Sequence, residues 1–367
     1  MQENRTARKL TKKIKIGDRT IGGDSPILVQ SMTNISASHF EESVEQIKRL
    51  EKAGCDIVRL AVPDLSCAEV FTFAKASGVK VPLVADIHFD YKIALECVKK
   101  GADKIRINPG NIGDRAKVKA VADACAAAGI PIRIGVNGGS LDKKILEKYS
   151  SPCAEALAES ALEEADVLES CGFSDIVLSI KSSDIREMTR AVRIVSESCD
   201  YPIHLGVTEA GDEYSGLVKN AVGIGSLLLD GIGDTIRVSR TADAEHEVKA
   251  GIEILSSLGL YEKGGVNVIS CPTCGRTAIN LISIVKEYKK RIASIDTAGK
   301  RLKVAIMGCA VNGPGEAREA DIGIAGGNGF CVFFKNGKVV ARVEEDDAVD
   351  YLVGETFKLN ENKDKLQ

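Results

Sequence analysis

Short apolar, β-branched runs alternate with amphipathic stretches along the first two thirds of the chain. Eight such runs predict β-strands, at Ile27–Thr33, Asp56–Ala61, Pro82–Ile87, Lys104–Asn108, Pro131–Val136, Asp175–Ile180, Ile203–Thr208 and Thr235–Ser239. A segment with helical periodicity follows each run, the last one at about Asp243–Ser257. Eight consecutive strand–helix units predict a (β/α)8 TIM barrel of the α/β class, and we assign residues 1–258 to it.

The pattern differs before and after these eight units. Ile14–Ile21, with Gly17 and Asp18 at its centre, predicts a hairpin that precedes the barrel. Residues 259–265 form a short glycine-rich linker. Beyond it the pattern predicts strands at Val266–Ser270, Lys303–Met307, Ile322–Ala325, Phe330–Phe334 and Val339–Val343, and helices at Arg276–Ile292 and about Asp346–Leu359. Residues 266–367 are therefore predicted to form a smaller α+β domain.

Polar side chains gather at the predicted C-terminal ends of the barrel strands, where TIM-barrel active sites lie. The basic ones are Arg59, Arg106, Arg133, Lys181 and Arg237. Between them come Asp86, His88, Asn108, Asn137, Thr208, Glu209 and Ser239. Guanidinium groups bind phosphate oxygens two at a time, so the set predicts a site for a phosphate or diphosphate.

Two other interpretations of these residues stay open. The arginines can form structural salt bridges with Asp86, Glu209, Asp230 and Asp234. Lys181 can instead be the Schiff-base lysine of a phosphate-binding aldolase, although nothing in the sequence shows the lowered pKa that this chemistry needs.

Composition excludes several classes of protein. A net charge of -3, no Trp and few aromatic residues argue against a nucleic-acid partner. No apolar run approaches the length of a membrane span, and the N-terminus has no signal-peptide core. Eleven cysteines without a disulfide framework fit a reducing compartment. We expect a soluble, cytoplasmic protein.

Three cysteines near the C-terminal end have the spacing of a metal centre. Cys271 and Cys274 form a CxxC pair that we expect to open a helix, and Cys309 follows in a Gly- and Pro-rich loop that also holds Glu316. All four histidines lie upstream, so a zinc site needs a distant ligand or a carboxylate. An iron–sulfur cluster fits the soft thiolates equally well, and the local pattern leaves both metals open.

The remaining cysteines are better explained as apolar core residues. Cys331 lies in an apolar run and is expected to be a buried strand residue rather than a fourth ligand. The same applies to five cysteines in helix-like segments of the barrel, Cys55, Cys97, Cys125, Cys171 and Cys199.

The two cysteine motifs, CPTCGR and MGCAVNGPGEA, occur behind a barrel that contains VADIHFD, KIRINPGNIG, HLGVTEAG and GIGDTIRVS. In this combination the chain resembles the 4-hydroxy-3-methylbut-2-enyl diphosphate synthase family, in the bacterial two-domain form. The resemblance runs from about Ile14 to Val343. The cysteine motifs are specific to this family, whereas several barrel motifs taken singly are not.

The resemblance implies a reaction and a cofactor. Members of the family open and dehydroxylate 2-C-methyl-D-erythritol 2,4-cyclodiphosphate with two electrons, in the methylerythritol phosphate route to isoprenoids. Cys271, Cys274, Cys309 and Glu316 would bind the four irons of a 4Fe-4S cluster. Ferredoxin or flavodoxin would deliver the electrons, and a homodimer would let each cluster domain cap the partner's barrel.

The resemblance also leaves some roles open. Asp86, His88, Glu209 and Asp230 are candidates for protonating the departing hydroxyl, and Glu316 belongs with them as a catalytic residue at the cluster. Asp230 stands where the family pattern has Glu, so its reach is in doubt. Two rival functions remain: a barrel aldolase with a zinc domain, and a non-enzymatic electron carrier or cluster scaffold.

Overall fold

The computed structural model describes residues 8–261, 264–293, 295, 297, 299–310 and 317–362. The chain divides into two compact units, Met1–Tyr261 and Glu262–Gln367. Of the cysteine motifs' predicted ligands, Glu316 lies outside the described residues.

The first unit begins with a hairpin and continues as eight strand–helix repeats. The hairpin strands are β1 (Ile14–Ile16) and β2 (Arg19–Ile21). The barrel strands are β3 (Leu28–Met32), β4 (Ile57–Ala61), β5 (Leu83–Asp86), β6 (Lys104–Ile107), β7 (Ile132–Asn137), β8 (Ile176–Lys181), β9 (His204–Leu205) and β10 (Thr235–Ile236). The helices are α1 (Phe40–Lys52), α2 (Glu69–Ala76), α3 (Tyr91–Lys99), α4 (Pro109–Ile112), α5 (Arg115–Ala128), α6 (Lys143–Tyr149), α7 (Ala154–Glu169), α8 (Ile185–Ser198), α9 (Glu213–Leu229) and α10 (Ala244–Ser257).

The eight barrel strands close into a ring of parallel neighbours. The sheet runs in the order β8-β7-β6-β5-β4-β3-β10-β9. A parallel bridge between Leu178 and Ile203 joins β8 to the residue before β9 and closes the ring. The predicted (β/α)8 barrel is thus confirmed.

The hairpin closes the N-terminal end of this barrel. Ile14, Ile16 and Ile21 are buried in one apolar cluster with residues from the starts of four barrel strands, namely Leu28, Ile57, Val84 and Val177. Burial of these side chains stabilises the hairpin on the barrel, at about 25 cal/mol per Å² of apolar surface. The N-terminal end of the barrel is therefore apolar, and a polar site is expected at the C-terminal ends of the strands.

The last two barrel strands are shorter than the sequence predicts. After Ile236 the backbone leaves the sheet, although Arg237 N still donates to Leu205 O at 2.9 Å. The backbone of Ser239 bonds instead to the side chain of Asn220, a helix residue. The hydrophobic pattern of the sequence could not indicate that a side chain replaces the neighbouring strand as the hydrogen-bond partner of Ser239.

The described residues of the second unit form a five-stranded sheet and two helices. The strands are β11 (Gly265–Ser270), β12 (Arg301–Met307), β13 (Ile322–Gly326), β14 (Phe330–Lys335) and β15 (Lys338–Glu344). They pair in chain order, parallel from β11 to β13 and antiparallel from β13 to β15. Helices α11 (Leu281–Arg291) and α12 (Ala348–Asn362) share a core with the sheet through Tyr288, Phe333 and Leu352.

One prediction for this unit is wrong. The CxxC pair does not open a helix, because α11 begins at Leu281 rather than Arg276. Asn280 caps that helix by accepting a hydrogen bond from Ser283 N at 3.3 Å. The preceding N–H groups are engaged elsewhere: Cys274 N donates to Thr277 Oγ1 and Ala278 N donates to Gly308 O. Cys271 and Cys274 therefore lie in the loop after β11.

Across the described ranges of both units, no helix is long and apolar enough to cross a membrane.

Candidate functional site

A cavity of about 260 Å³ lies at the C-terminal ends of the barrel strands. Most of the polar residues predicted at the strand ends line it: Arg59, Asp86, His88, Arg106, Arg133, Asn137, Lys181, Thr208, Arg237 and Ser239. Met32, Gly135 and Ser179 complete the lining. Most of the polar residues predicted at the strand ends therefore line one cavity.

Asp86 lies among the arginines of this cavity. Arg106 Nη1 donates to Asp86 Oδ1 at 3.1 Å, and Arg59 Nε lies 3.6 Å from Asp86 Oδ2. Burial alone would raise the pKa of Asp86, but the neighbouring guanidinium groups of Arg59, Arg106 and Arg133 outweigh it and lower that pKa. Asp86 is therefore ionised at neutral pH and holds two arginines in place.

Arg133 is the most deeply buried cation of the set, at 1% exposure. Its Nε and Nη1 atoms have no hydrogen-bond partner within the described part of the chain. Burial, and then the charges of Arg59 and Arg106, lower its pKa well below the usual value. Unpaired donors on a buried cation are costly, so this geometry favours an anionic ligand.

Lys181 and Arg59 are also affected by burial. Burial lowers the pKa of Arg59 to about 10, which leaves it charged at neutral pH. The pKa of Lys181 is lowered well below its usual value, first by burial and then by the charges of Arg59 and Arg237. A Schiff-base lysine needs a lowered pKa, so the buried position of Lys181 is also compatible with the aldolase interpretation.

Two glycines allow close approaches to the strands, one by a cationic side chain and one by a neighbouring backbone. A Cβ atom at Gly135 would lie 2.6 Å from Arg106 Nε, and one at Gly206 would lie 2.8 Å from the carbonyl oxygen of Arg237. An isolated glycine within a strand pattern signals such a close approach. This signal was present in the sequence and was missed.

A second carboxylate, Glu247 of α10, was also missed. It is 6% exposed, and its Oε2 lies 3.5 Å from Arg237 Nη2. An acid on the inward face of an amphipathic helix was the available signal. With Asp86 and Glu247, two carboxylates face five basic side chains, so the site has an excess of basic groups.

Three predicted residues lie apart from the cavity lining. Asn108 is buried at the start of α4, beside Glu164 of α7. Glu209 follows the lining residue Thr208 but is exposed, with a left-handed backbone (φ 51°). Asp230 is placed elsewhere altogether, at the C-terminal end of α9, where it pairs with Arg193 Nε at 2.8 Å.

The position of Asp230 corrects the prediction that it belongs to the catalytic group. It precedes β10 and so lies at the N-terminal end of that strand, whereas the cavity is at the C-terminal ends. Asp234 is likewise engaged away from the cavity, with Arg8 Nη2 at 2.6 Å. Neither acid neutralises the arginines of the cavity.

The cysteine loops of the second unit come together at adjacent strand ends. Gly308 N, next to Cys309, donates to Cys271 Sγ at 3.1 Å. A hydrogen bond from the backbone of Arg276 is the first of the interactions that lower the pKa of the Cys274 thiol. Cys271 and Cys309 are half-buried and Cys274 is exposed. Backbone N–H donation to sulfur and a stabilised thiolate are both features of metal-ligating cysteines.

The described residues contain no group of three or more side chains already arranged to hold a metal ion. The donor set nevertheless fits an iron–sulfur group, because three thiols lie on two neighbouring loops. Glu316, the predicted fourth ligand, cannot be placed because it lies outside the described residues.

Of the other cysteines, Cys331, Cys97 and Cys125 are placed as predicted, whereas Cys55, Cys171 and Cys199 lie outside helices. Cys331 is a fully buried residue of β14, and burial raises the pKa of its thiol to about 11. Cys97 and Cys125 are buried in helices and Cys55 lies buried before β4. Cys171 and Cys199 are half-buried just beyond helix ends.

Comparison with known proteins gives matches over both units. A family described as GcpE TIM-barrel domain matches residues 11–252, and one described as GcpE protein C-terminal domain matches residues 267–358. A Clostridium tetani relative, 4-hydroxy-3-methylbut-2-en-1-yl diphosphate synthase (flavodoxin), is 56% identical over 95% of this chain and 98% of its own length. A Geobacter sulfurreducens relative of the same name is 50% identical over 95% and 98%.

Solved structures resemble the barrel in fold alone. Dihydropteroate synthase from Thermus thermophilus matches with a TM-score of 0.50 and 17% identity, over 68% of this chain and 98% of that one. Type I 3-dehydroquinate dehydratase from Clostridium difficile matches with a TM-score of 0.51 and 12% identity, over the same shares.

Proposed function

The chain belongs to the GcpE family of 4-hydroxy-3-methylbut-2-en-1-yl diphosphate synthases, and we propose that its barrel cavity binds 2-C-methyl-D-erythritol 2,4-cyclodiphosphate. It is an oxidoreductase of isoprenoid precursor biosynthesis. In the reaction, two electrons enter, the ring bond between carbon and a phosphate oxygen breaks, and a hydroxyl group takes a proton and leaves as water. The product is 4-hydroxy-3-methylbut-2-enyl diphosphate.

The observation that carries the substrate assignment is the excess of basic groups in the cavity. Five basic side chains face two carboxylates, and Arg133 has buried donor atoms without partners in the described part of the chain. A diphosphate supplies the missing acceptors, and guanidinium forks bind its oxygens in pairs. The same cations stabilise the phosphate oxygen as negative charge develops on it.

The acids and the histidine of the site divide into different roles. Asp86 is ionised and holds Arg59 and Arg106, so we assign it a positioning role rather than proton donation. His88 lines the cavity, with Nε2 lying 3.8 Å from Asp86 Oδ2. Glu209 adjoins Thr208. His88 and Glu209 remain our candidates for protonating the leaving hydroxyl. Asn137, Thr208, Lys181, Arg237 and Ser239, which line the cavity, are proposed to bind the substrate, whereas Asn108 lies apart from it.

We further propose that Cys271, Cys274, Cys309 and Glu316 hold a 4Fe-4S cluster. When bound, such a cluster supplies single electrons and a Lewis-acid iron. A carboxylate is a harder ligand than thiolate, so Glu316 should leave its iron more readily than a fourth cysteine would. The Gly308 N–H bond to Cys271 Sγ supports a thiolate at that position.

Flavodoxin, which the relatives' names include, or ferredoxin is the proposed electron donor. The eleven unbridged cysteines support a cytoplasmic location. Belonging to this family argues against the aldolase and the electron-carrier alternatives.

The test is a titration of anaerobically purified protein with the cyclic diphosphate. We expect iron and acid-labile sulfide, turnover with reduced flavodoxin, and a change in the cluster's electron paramagnetic resonance spectrum on adding substrate. Zinc without sulfide would favour the aldolase interpretation. A cluster spectrum indifferent to substrate would favour the electron carrier.

Glu316→Ala tests the fourth ligand. We expect the cluster to remain on three thiolates with an altered spectrum, while turnover falls by about two orders of magnitude because the iron loses its exchangeable carboxylate. Glu319→Ala, a nearby exposed glutamate, is the control. Wild-type activity in Glu316→Ala would exclude the exchangeable-ligand role.

We also propose a homodimer in which each cluster unit completes the partner's barrel site. The linker of residues 259–265 spans at most ~25 Å, which limits closure within one chain. Co-expression of Arg106→Ala and Cys309→Ser chains should restore about a quarter of normal activity, since about half the dimers are mixed and each has one intact site. Mixed dimers no more active than the separate variants would exclude the arrangement.

A further inference from the structure

The backbone of residues 237–240 carries two side chains of the cavity but lies beyond the barrel's hydrogen-bond ladder. β10 ends at Ile236, and Arg237 N makes the last bond to a neighbouring strand, at Leu205 O. Arg237 and Ser239 both line the cavity. The segment therefore needs other partners if these side chains are to stay in place.

Asn220 of α9 supplies the first of these partners. Its Oδ1 accepts from Ser239 N at 3.3 Å, and its Nδ2 donates to Ser239 O at 2.9 Å and to Gly216 O at 2.8 Å. The side chain is fully buried. A primary amide presents one donor group and one acceptor side by side, as a neighbouring strand does, and among side chains only Asn and Gln can do this.

Glu247 of α10 supplies the second partner from the other side. Its Oε1 accepts from Arg240 N at 3.1 Å. Its Oε2 lies 3.5 Å from Arg237 Nη2 and 3.4 Å from Ser31 Oγ. One buried carboxylate thus binds both the backbone of the segment and the guanidinium group that the segment carries.

The close approach of α9 to the segment is also built into the sequence. A Cβ atom at Gly216 would lie 2.6 Å from the Cβ atom of Arg240. Only glycine allows the helix this near, and this spacing lets the short Asn220 side chain reach Ser239.

We propose that Asn220 and Glu247 are positioning residues for the reaction, which replace the missing strand neighbour of residues 237–240 and so hold Arg237 and Ser239 at the cavity. The inference rests on the proposed function, because Arg237 and Ser239 are assigned to the substrate there. The hydrogen bonds themselves do not depend on that assignment.

Hydrogen exchange tests the structural half of the proposal. At about pH 9 the carboxylate of Asn220→Asp still accepts from Ser239 N, but it has no donor, so two oxygens face each other across the former bond. We expect peptides covering residues 237–241 to exchange about tenfold faster in Asn220→Asp and Asn220→Ala, with peptides of β7 unchanged. Unchanged exchange at residues 237–241 in the folded Asn220→Asp protein would overturn the proposal.

Steady-state kinetics test the functional half. Glu247→Gln keeps an acceptor for Arg240 N but removes a negative charge from an anion-binding cavity. We expect KM for the cyclic diphosphate to stay equal or fall while kcat drops about tenfold, with iron content unchanged. A merely structural role predicts a lower melting temperature or iron content, with kcat and KM of the folded, iron-loaded protein unchanged, and that result would overturn the positioning role. Glu253→Gln, the same change at an exposed position of α10, should leave both constants unchanged.

Hydrogen exchange and steady-state kinetics together distinguish a failure of the positioning role from a failure of the proposed function. If wild-type protein does not turn over the cyclic diphosphate, the proposed function fails, and hydrogen exchange still decides whether Asn220 holds the segment. If wild-type protein turns over but Asn220→Asp matches it in exchange and kinetics, the positioning role alone fails.

Discussion

The barrel cavity and the cysteine loops both lie at the ends of parallel strands, yet their supports differ. In the cavity, Arg106, Asp86 and Arg133 are strand residues less than a tenth exposed, and Arg106 donates both to Asp86 and to the backbone of the adjacent strand. In the second unit, Cys271 and Cys274 lie in a loop, and Cys271 Sγ accepts a backbone hydrogen bond from Gly308 N.

The difference indicates how each site is completed. The cavity has its charges in position before any ligand binds, which lowers the ordering cost of binding. For the cysteines, the proposed cluster would complete the arrangement, because binding of a metal group and local folding are coupled. Substitutions in the cavity should therefore change affinity, and substitutions of the cysteines should remove the cofactor altogether.

The largest effect is expected from the cysteines. Cys271→Ser, Cys274→Ser and Cys309→Ser should each reduce iron and sulfide content by about tenfold or more and abolish turnover, because a hydroxyl group is a poor cluster ligand. Iron and sulfide analysis after anaerobic reconstitution measures this. The control is Cys331→Ser, which should keep its iron and lose only some stability, since Cys331 is buried in β14. Full iron content in a Cys309→Ser protein would remove that residue from the ligand set.

The second prediction concerns Arg133, where binding and stability should change in opposite directions. Arg133→Met removes a buried cation with unpaired donors, so the barrel's melting temperature should rise by a few degrees. The same change should weaken binding of the cyclic diphosphate by about 1.5–3 kcal/mol, with iron content unchanged.

Calorimetric binding and thermal melts measure the two quantities for Arg133→Met. Arg193→Met is the control, because Arg193 pairs with Asp230 away from the cavity. Loss of both stability and binding in Arg133→Met would mean that Arg133 is structural, and the contrast with the cysteines would then disappear.

The barrel cavity and the cysteine loops also differ in how well the sequence predicts them. Arg59, Arg106 and Arg237 could be placed because a strand's period and direction fix where its last residues point. Asp230 was misplaced because its role was carried over from the family pattern, although it lies before β10 rather than after that strand. Asn220 and Glu247 belong to helices, and no periodicity tells which helical side chain meets which strand end.

The second unit was harder to predict for a related reason. The CxxC spacing predicted candidate ligands but not their local backbone, because the N–H groups of Cys274 and Ala278 bond to Thr277 and Gly308 rather than entering a helix. Such local competition depends on a loop that is distant in sequence. The motif was therefore better evidence for chemistry than for secondary structure.

The smallest predicted effect concerns Glu164, an uncharged neighbour of the charged cavity wall. Burial raises the pKa of Glu164 to about 8, although Arg106 and Asn108 partly oppose the shift. Because the folded-state pKa lies above the unfolded one, the folded protein binds more protons between about pH 5 and 8, and its stability falls as pH rises across that range. Glu164→Gln removes this loss and should stabilise the protein by roughly 1–3 kcal/mol at pH 9, with little change at pH 5.

Thermal melts from pH 5 to 9 measure the effect of Glu164→Gln, and Glu163→Gln provides the matched control at an exposed neighbouring position. The stability difference between Glu164→Gln and wild type should widen steadily with pH, whereas Glu163→Gln should follow the wild-type curve. Parallel curves for all three proteins would show that Glu164 ionises normally. The barrel wall beside Asn108 would then be open to water, and the comparison with the cysteine loops would have to rest on Arg133 and Asp86 alone.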